Sequence, residues 1–245
     1  MSRRRHLPLL WTLALLVAAG FCALGVWQYG RMQQKQALLE AVHALLQRRE
    51  AQPLALAGDP RRAAAFDWAA GEGEFVPGPA VLLDNQQRED RAGVRVFRPF
   101  RPADGAEPLL VELGWLPLPG DRRLPSIPLP AGRQRVRGLL APPPSHGILA
   151  ATATAQPDGT LLATGLDMPA LARALKLPRL PARVLKLDPA LPLGYARDLD
   201  ILPNTLPPER HLGYAVQWFA LALAVLATAL VLTLRKPKTS PRPPR

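Results

Sequence analysis

The sequence predicts an α+β membrane protein in which two transmembrane helices flank a mostly antiparallel, β-rich domain carrying a few short helices. Three observations lead there. Residues 7–27 and 212–234 contain no Asp, Glu, Lys or Arg, and each run is long enough to cross a hydrocarbon layer of roughly 30 Å as a helix. The charge is concentrated outside these runs. Residues 67–140, by contrast, break into short runs separated by Gly and Pro, the punctuation of strands and turns.

The first six residues form a basic tail with Arg3, Arg4 and Arg5, and residues 235–245 form a Pro-rich second one with Arg235, Lys236, Lys238, Arg242 and Arg245. Neither tail contains an acid, so most of the net charge of +12 lies at the two ends. On the inner side of each apolar run the nearby cations are only Arg31, Lys35, Arg197 and Arg210. By the positive-inside rule both termini are cytoplasmic and residues 28–211 lie across the membrane. Membrane orientation thereby accounts for the basicity, and nucleic acid is not an expected partner.

Residues 3–19 also have the charged start and apolar core of a signal peptide, and Ser2-Arg3-Arg4 hints at a twin-arginine signal. A retained anchor is favoured because the apolar stretch continues to Trp27. Cys22, the single cysteine, lies inside that stretch. An internal disulfide and a Cys-x-x-Cys copper or redox site are therefore excluded.

Beyond the first span, Leu38, Val42, Leu45 and Leu46 form a helical stripe, so the helix is expected to continue out of the membrane through residues 28–49. Asp59-Pro60 reads as an N-cap followed by proline at the first helical position, opening a short helix towards Phe66. Strands are expected at 68–75, 80–88, 94–101, 108–116 and 133–140, with a hairpin turning at Asp104-Gly105. These would form a partly closed barrel with Val111, Leu113 and Trp115 in or near its core. Further on come a strand at 160–165, a helix capped by Asp167 and running to Leu175, and strands near 183–187 and 195–201. Residues 150–156 carry no clear signal.

There is no Gly-rich phosphate loop, His-Glu-x-x-His or Gly-x-Ser-x-Gly in the chain. Ser145-His146 is a neighbouring pair in a Pro-rich stretch, and adjacent residues rarely converge on one proton, which makes a hydrolase centred on His146 the weakest reading. The informative residues cluster at the membrane edges instead. On helices, His211, Tyr214 or Ala215, and Trp218 share one face, and Trp27, Arg31 and Lys35 share another. Two readings stand side by side. Aromatics, snorkelling cations and a solvated histidine are ordinary at an interface; equally, His211 could ligate haem iron while Arg31 or Lys35 pairs with propionates.

Gly25-x-Trp27-Gln28-x-x-Arg31-x-x-x-Lys35 and His211-x-x-Tyr214-Ala215-x-Gln217-Trp218-Phe219, each beside an apolar run and in this order, resemble the Surfeit-locus-1 family of cytochrome oxidase assembly factors. Weaker matches follow in order between them: Gly73-Glu74-Phe75, Asp84-Asn85, Gly93 with Pro99-Phe100, Leu110-Val111 with Gly114-Trp115-Leu116-Pro117, and Val136-Arg137-Gly138-Leu139. The resemblance implies a non-enzymatic, chaperone-like assembly factor of the bacterial inner membrane with a periplasmic β domain. It also implies haem a as a transient cofactor held by His211, its iron ligand, near Tyr214, Trp218, Trp27, Arg31 and Lys35, for delivery to cytochrome c oxidase subunit I alongside other oxidase assembly factors. The chain departs from the family where Leu113, preceded by Glu112, stands in place of a common arginine, so that arginine's role is not carried over. Trp115 reads as core packing ahead of a docking aromatic. The rival from another class is a scaffold without haem that docks oxidase subunits through its β domain.

Overall fold

The computed structural model describes residues 3–144, 151–202 and 205–235, with side chains from residue 7 onward. Ser145-His146 and the tail beyond Arg235 lie outside the described residues. The chain divides into two compact units, one of residues 1–40 with 205–245 and one of residues 41–204.

Helix α1, Arg3–Arg48, has 46 residues, about 70 Å at the α-helical rise, and so outlasts its apolar run as expected. Its last turns, from Ala41, belong to the second unit. Helix α3, Pro208–Leu234, opens with proline at its first position and Glu209 in its first turn, where a missing N–H costs nothing and an anion meets the positive end of the helix dipole. Both helices are long and apolar enough to cross a membrane.

Contacts between them run in opposite senses along the two helices. The Trp11 indole N–H donates to Thr233 Oγ1 at 3.0 Å, Phe21 and Trp218 meet with ring centroids 5.5 Å apart, and the Lys35 ammonium donates to the Leu206 carbonyl. The helices are antiparallel. The α1 face turned inward repeats every three or four residues through Ala14, Ala18, Phe21, Gly25 and Gln28, and that of α3 through His211, Ala215, Trp218, Ala222 and Ala229. This is heptad spacing built on small residues, which lets two backbones approach closely. A Cβ on Gly25 would lie 2.8 Å from the Phe219 ring, closer than real contacts allow.

The second unit is a mixed nine-stranded sheet: β1 Gln52–Pro53, β2 Asp67–Phe75, β3 Val81–Arg88, β4 Arg91–Pro102, β5 Leu109–Pro117, β6 Arg133–Ala141, β7 Ala153–Ala155, β8 Leu161–Ala163 and β9 Val184–Leu187. Strands β2, β6, β9, β5 and β4 close into a ring, because β2 pairs with β6 along most of its length and with β4 at its end. Closure depends on two glycines. A Cβ on Gly73 would strike the Arg101 backbone, and one on Gly138 the Lys186 backbone, so strands can turn these corners only where no side chain intervenes.

Inside the ring lie Phe75, Val94, Val96, Phe100, Leu109, Val111, Leu113, Val136, Leu140 and Leu185. A second apolar layer forms outside it, where Val81, Phe97, Leu110 and Val184 are covered by Leu161 of β8 and by Met168 and Leu171 of α2, Met168–Ala174. Phe97 and Phe100 of one strand thus serve different layers. Asp167 caps α2 by accepting from the Ala170 N–H at 2.9 Å, as its sequence position predicts.

Several expectations are corrected. Asp59 does accept from the Arg61 N–H at 2.9 Å, but it opens only a 3-10 turn over Pro60–Arg62, following another at Leu54–Gly58. Arg62 reaches forward to the Asp67 carboxylate that begins β2, which ends the helical turn. The strand expected over 195–201 reduces to one bridge, Trp115 with Ala196. Its backbone is held by the Arg197 guanidinium, which gathers the carbonyls of Asp188, Leu191 and Tyr195. The mainly antiparallel sheet also contains three parallel pairings, β1–β2, β3–β8 and β5–β9.

Candidate functional site

His211 occupies the first turn of α3 and is buried. Gln28 of α1, facing it across the helix pair, brings its Oε1 within 2.7 Å of His211 Nδ1. An amide oxygen only accepts, so this contact suits a proton on Nδ1. The other ring nitrogen, Nε2, is buried and has no hydrogen-bond partner among the described residues. A buried nitrogen without a partner costs free energy; the other buried side-chain atoms without a partner among the described residues, Arg95 Nε, Arg98 Nε, Glu112 Oε2 and Arg183 Nε, all lie in the β unit.

The other sequence-derived positions arrange themselves unequally around it. Trp218 shares the inward face and stacks, tilted by 31°, on Phe21. Of Tyr214 and Ala215, Ala215 takes the place beside His211 on that face, while Tyr214 is exposed. Trp27 is exposed on α1, and Arg31 lies exposed next to Gln34, whose Oε1 accepts from it at 3.1 Å. Lys35 turns instead to the Leu206 carbonyl ahead of α3. The helix pair therefore joins His211, Gln28, Phe21 and Trp218 in its seam and leaves Trp27, Arg31 and Tyr214 on its flanks.

No group of three or more His, Cys, Asp or Glu side chains that could hold a bare ion is found among the described residues. A single neutral imidazole suits a centre whose remaining ligands come from elsewhere, as the iron of a porphyrin does. The residues present fit haem in two respects, a free Nε2 donor and an aromatic neighbour for a macrocycle. Nε2 itself lies buried in the seam.

The β unit holds a second polar assembly that composition does not reveal. Arg95 of β4 donates to Glu112 of β5 at 2.6 Å, and both are buried. Lys186 of β9, next to Glu112 in register, donates to the Asp200 carbonyl. Burial pulls the Lys186 ammonium below its ordinary range; Glu112 opposes that fall and Arg95 adds to it. Arg183, fully buried, is tied to Asp67 at 2.5 Å. Trp115 is a core residue, its indole N–H donating to the Gln86 carbonyl at 3.1 Å beneath Gly93. Leu113, in the place of the family's arginine, is core as well.

Sequence reasoning quoted Gln28 as part of a signature without giving it a function. Its signal was available: an uncharged polar residue at an inward heptad position, three residues after Gly25. For Glu112 and Lys186 the signal was weaker, one charge in each otherwise apolar strand.

Two bilayer-length helices packed antiparallel, joined by a chain segment that folds into a small closed β barrel, with one buried histidine in the helix seam, define a two-helix membrane protein with an intervening β domain. The family model described as the SURF1 family matches residues 15–223, and the chain belongs to that family. It is also similar to a SURF1-like protein of Monosiga brevicollis, with 32% identity over 128 residues, 47% of this chain and 48% of that protein. The chain thus spans about half the length of the curated relative it matches.

Proposed function

We propose that this protein assists assembly of haem-copper cytochrome c oxidase, as a two-pass protein of the bacterial inner membrane with both termini cytoplasmic and residues 28–211 periplasmic. It acts by binding and handing on rather than by making or breaking a bond, with haem a as cargo and oxidase subunit I, with other assembly factors, as partners. Family membership supports the assembly role. The observation that carries the haem reading is the unpartnered Nε2 of His211, left with its lone pair by the bond to Gln28.

A bound haem would supply an iron that an imidazole nitrogen can ligate. His211 Nε2 would be the donor. Trp218 lies on the same helix face to contact the ring, with Tyr214 and Trp27 at the flanks. Arg31 and Lys35 are the cations available to propionates, and near the interface water solvates those groups too, so each cation contributes modestly. Protein purified from cells that make haem a should carry it in stoichiometric amount, and His211→Ala should abolish or greatly weaken retention while insertion is preserved. Unchanged haem content and iron spectrum in that variant would put the haem-free scaffold ahead, a reading favoured by the burial of Nε2 in the closed seam.

A further inference from the structure

A glutamine in the seam of two apolar helices needs a reason. Partly burying an amide at an inward position between apolar helices costs free energy unless its polar groups find partners. Gln28 finds one in a side chain that has a choice. A neutral imidazole can carry its proton on either nitrogen, and in an unrestrained histidine Nε2–H is the commoner form. Only an acceptor placed at Nδ1 reverses that preference. Gln28 Oε1, 2.7 Å away and contributed by the opposite helix, is such an acceptor.

We infer that Gln28 is the positioning residue of this site: it holds His211 in the Nδ1–H tautomer and fixes the ring's rotation, so that Nε2 is the free donor. Two independent observations agree, the short contact at Nδ1 and the absence of any described partner at Nε2. The arrangement matches the general logic of histidine ligands, whose second nitrogen donates to an oxygen that sets tautomer and orientation and raises ligand basicity. Because the acceptor sits on α1 and His211 on α3, the tautomer is set by the pairing of the two helices. The consequence for iron rests on the haem reading above; the tautomer does not.

The test uses the full chain in lipid nanodiscs with nitrogen-15-labelled histidine, the His211 signal being assigned by its loss in His211→Ala. Without haem, the native protein should show Nδ1 protonated and Nε2 bare. Gln28→Glu, which keeps an acceptor oxygen, should preserve this pattern, and Gln28→Met, of similar length but without an acceptor, should shift His211 to the Nε2–H form. Titration with hemin should then show affinity falling by about 10–100-fold in Gln28→Met and recovering in Gln28→Glu. An Nε2–H tautomer in the native protein overturns the inference, as does a Gln28→Met variant with the native tautomer and native affinity. If Gln28→Met fails to insert, the native and Gln28→Glu spectra still decide. The expected tautomers without His211-dependent hemin uptake would uphold the positioning and overturn the haem reading alone.

Discussion

The helical unit and the β unit place their apolar bulk on opposite sides. In the β unit the large side chains, Phe97, Phe100, Leu109, Leu140 and Leu185, are fully inside, and buried charges such as Arg183 and Glu112 are paired. In the helical unit many large aliphatic residues face outward, with Leu9, Leu16 and Leu223 all about two-thirds exposed or more (70%, 67% and 69%), while alanine, glycine, glutamine and histidine, with the Phe21–Trp218 pair, fill the seam. Water drives the first arrangement because burying a large apolar side chain stabilises the fold by about 1.5–3 kcal/mol. That gain vanishes where the surroundings are hydrocarbon. Close backbone approach and hydrogen bonds across the seam then hold the helices together. The two units are built for different solvents, and substitutions should respond accordingly.

The largest effect should come from the barrel core. Phe100→Ala removes a ring packed edge-on against Phe75, with centroids 5.1 Å apart, and should destabilise the β unit by about 3–5 kcal/mol. Leu16→Ala on the outside of α1 should leave the same unfolding transition, followed by circular dichroism in detergent, where it was. Equal shifts would break the comparison.

Next comes the ion pairing that closes the start of β2. Burial by itself would raise the Asp67 carboxyl, but hydrogen bonds and charge from Arg62 and Arg183 together bring it below the ordinary 3.8. Asp188 behaves alike: burial raises it, while the Ala190 N–H, Arg137 and Arg49 bring it below that value. The unfolded chain therefore binds protons first on acidification. Stability supplied by these pairs is complete above the unfolded value and is lost as pH falls below about 4 through the folded values. Asp67→Asn leaves Arg183 buried without its counter-charge, should cost about 3 kcal/mol at neutral pH, and should flatten the acid limb of a melting-temperature profile. An unchanged acid limb would remove Asp67 from the account.

A smaller effect is expected in the helix seam. Gly25→Val places side-chain atoms where the Phe219 ring lies and should weaken helix pairing by about 1–3 kcal/mol, with no change in the β transition. Disulfide trapping between cysteines introduced at Ala18 and Ala222 in a Cys22→Ser background would report it as slower cross-linking. The smallest is Thr233→Val, which removes the acceptor of the Trp11 indole; bonds of this kind average about 0.6 kcal/mol, and the same trapping rate should change less than twofold to threefold.

Legibility differed by region for the same physical reason. The helical spans were readable because hydrocarbon demands a contiguous run without charge, a one-dimensional property. The five long strands were readable because Gly and Pro punctuate them, and Asp167 because capping is local. Strand β7 was missed, since Ala153, Thr154 and Ala155 carry no pattern and are strand only through pairing with β8. The expected strand at 195–201 reduces to one bridge with β5, and Arg197 ties the preceding turn through the carbonyls of Asp188, Leu191 and Tyr195. At the site, His211, Trp218 and the α1 signature were visible as residues, but their grouping was not.

The amino-acid order by itself determined two apolar helices, the β character of the segment between them, the cap of α2 and the membership of Val111, Leu113 and Trp115 in the core. Each depends on neighbours within a few residues. Tertiary structure decided closure of the ring, since β9 enters between β5 and β6 and β2 meets β4 only at its end. It also decided which charges are buried, because Arg183 is 116 residues from the Asp67 that neutralises it. And it decided what His211 can do, because the proton on Nδ1 is held there by Gln28, 183 residues away: a tautomer depends on the atom next to a ring nitrogen in space, and no local pattern in the chain records that atom.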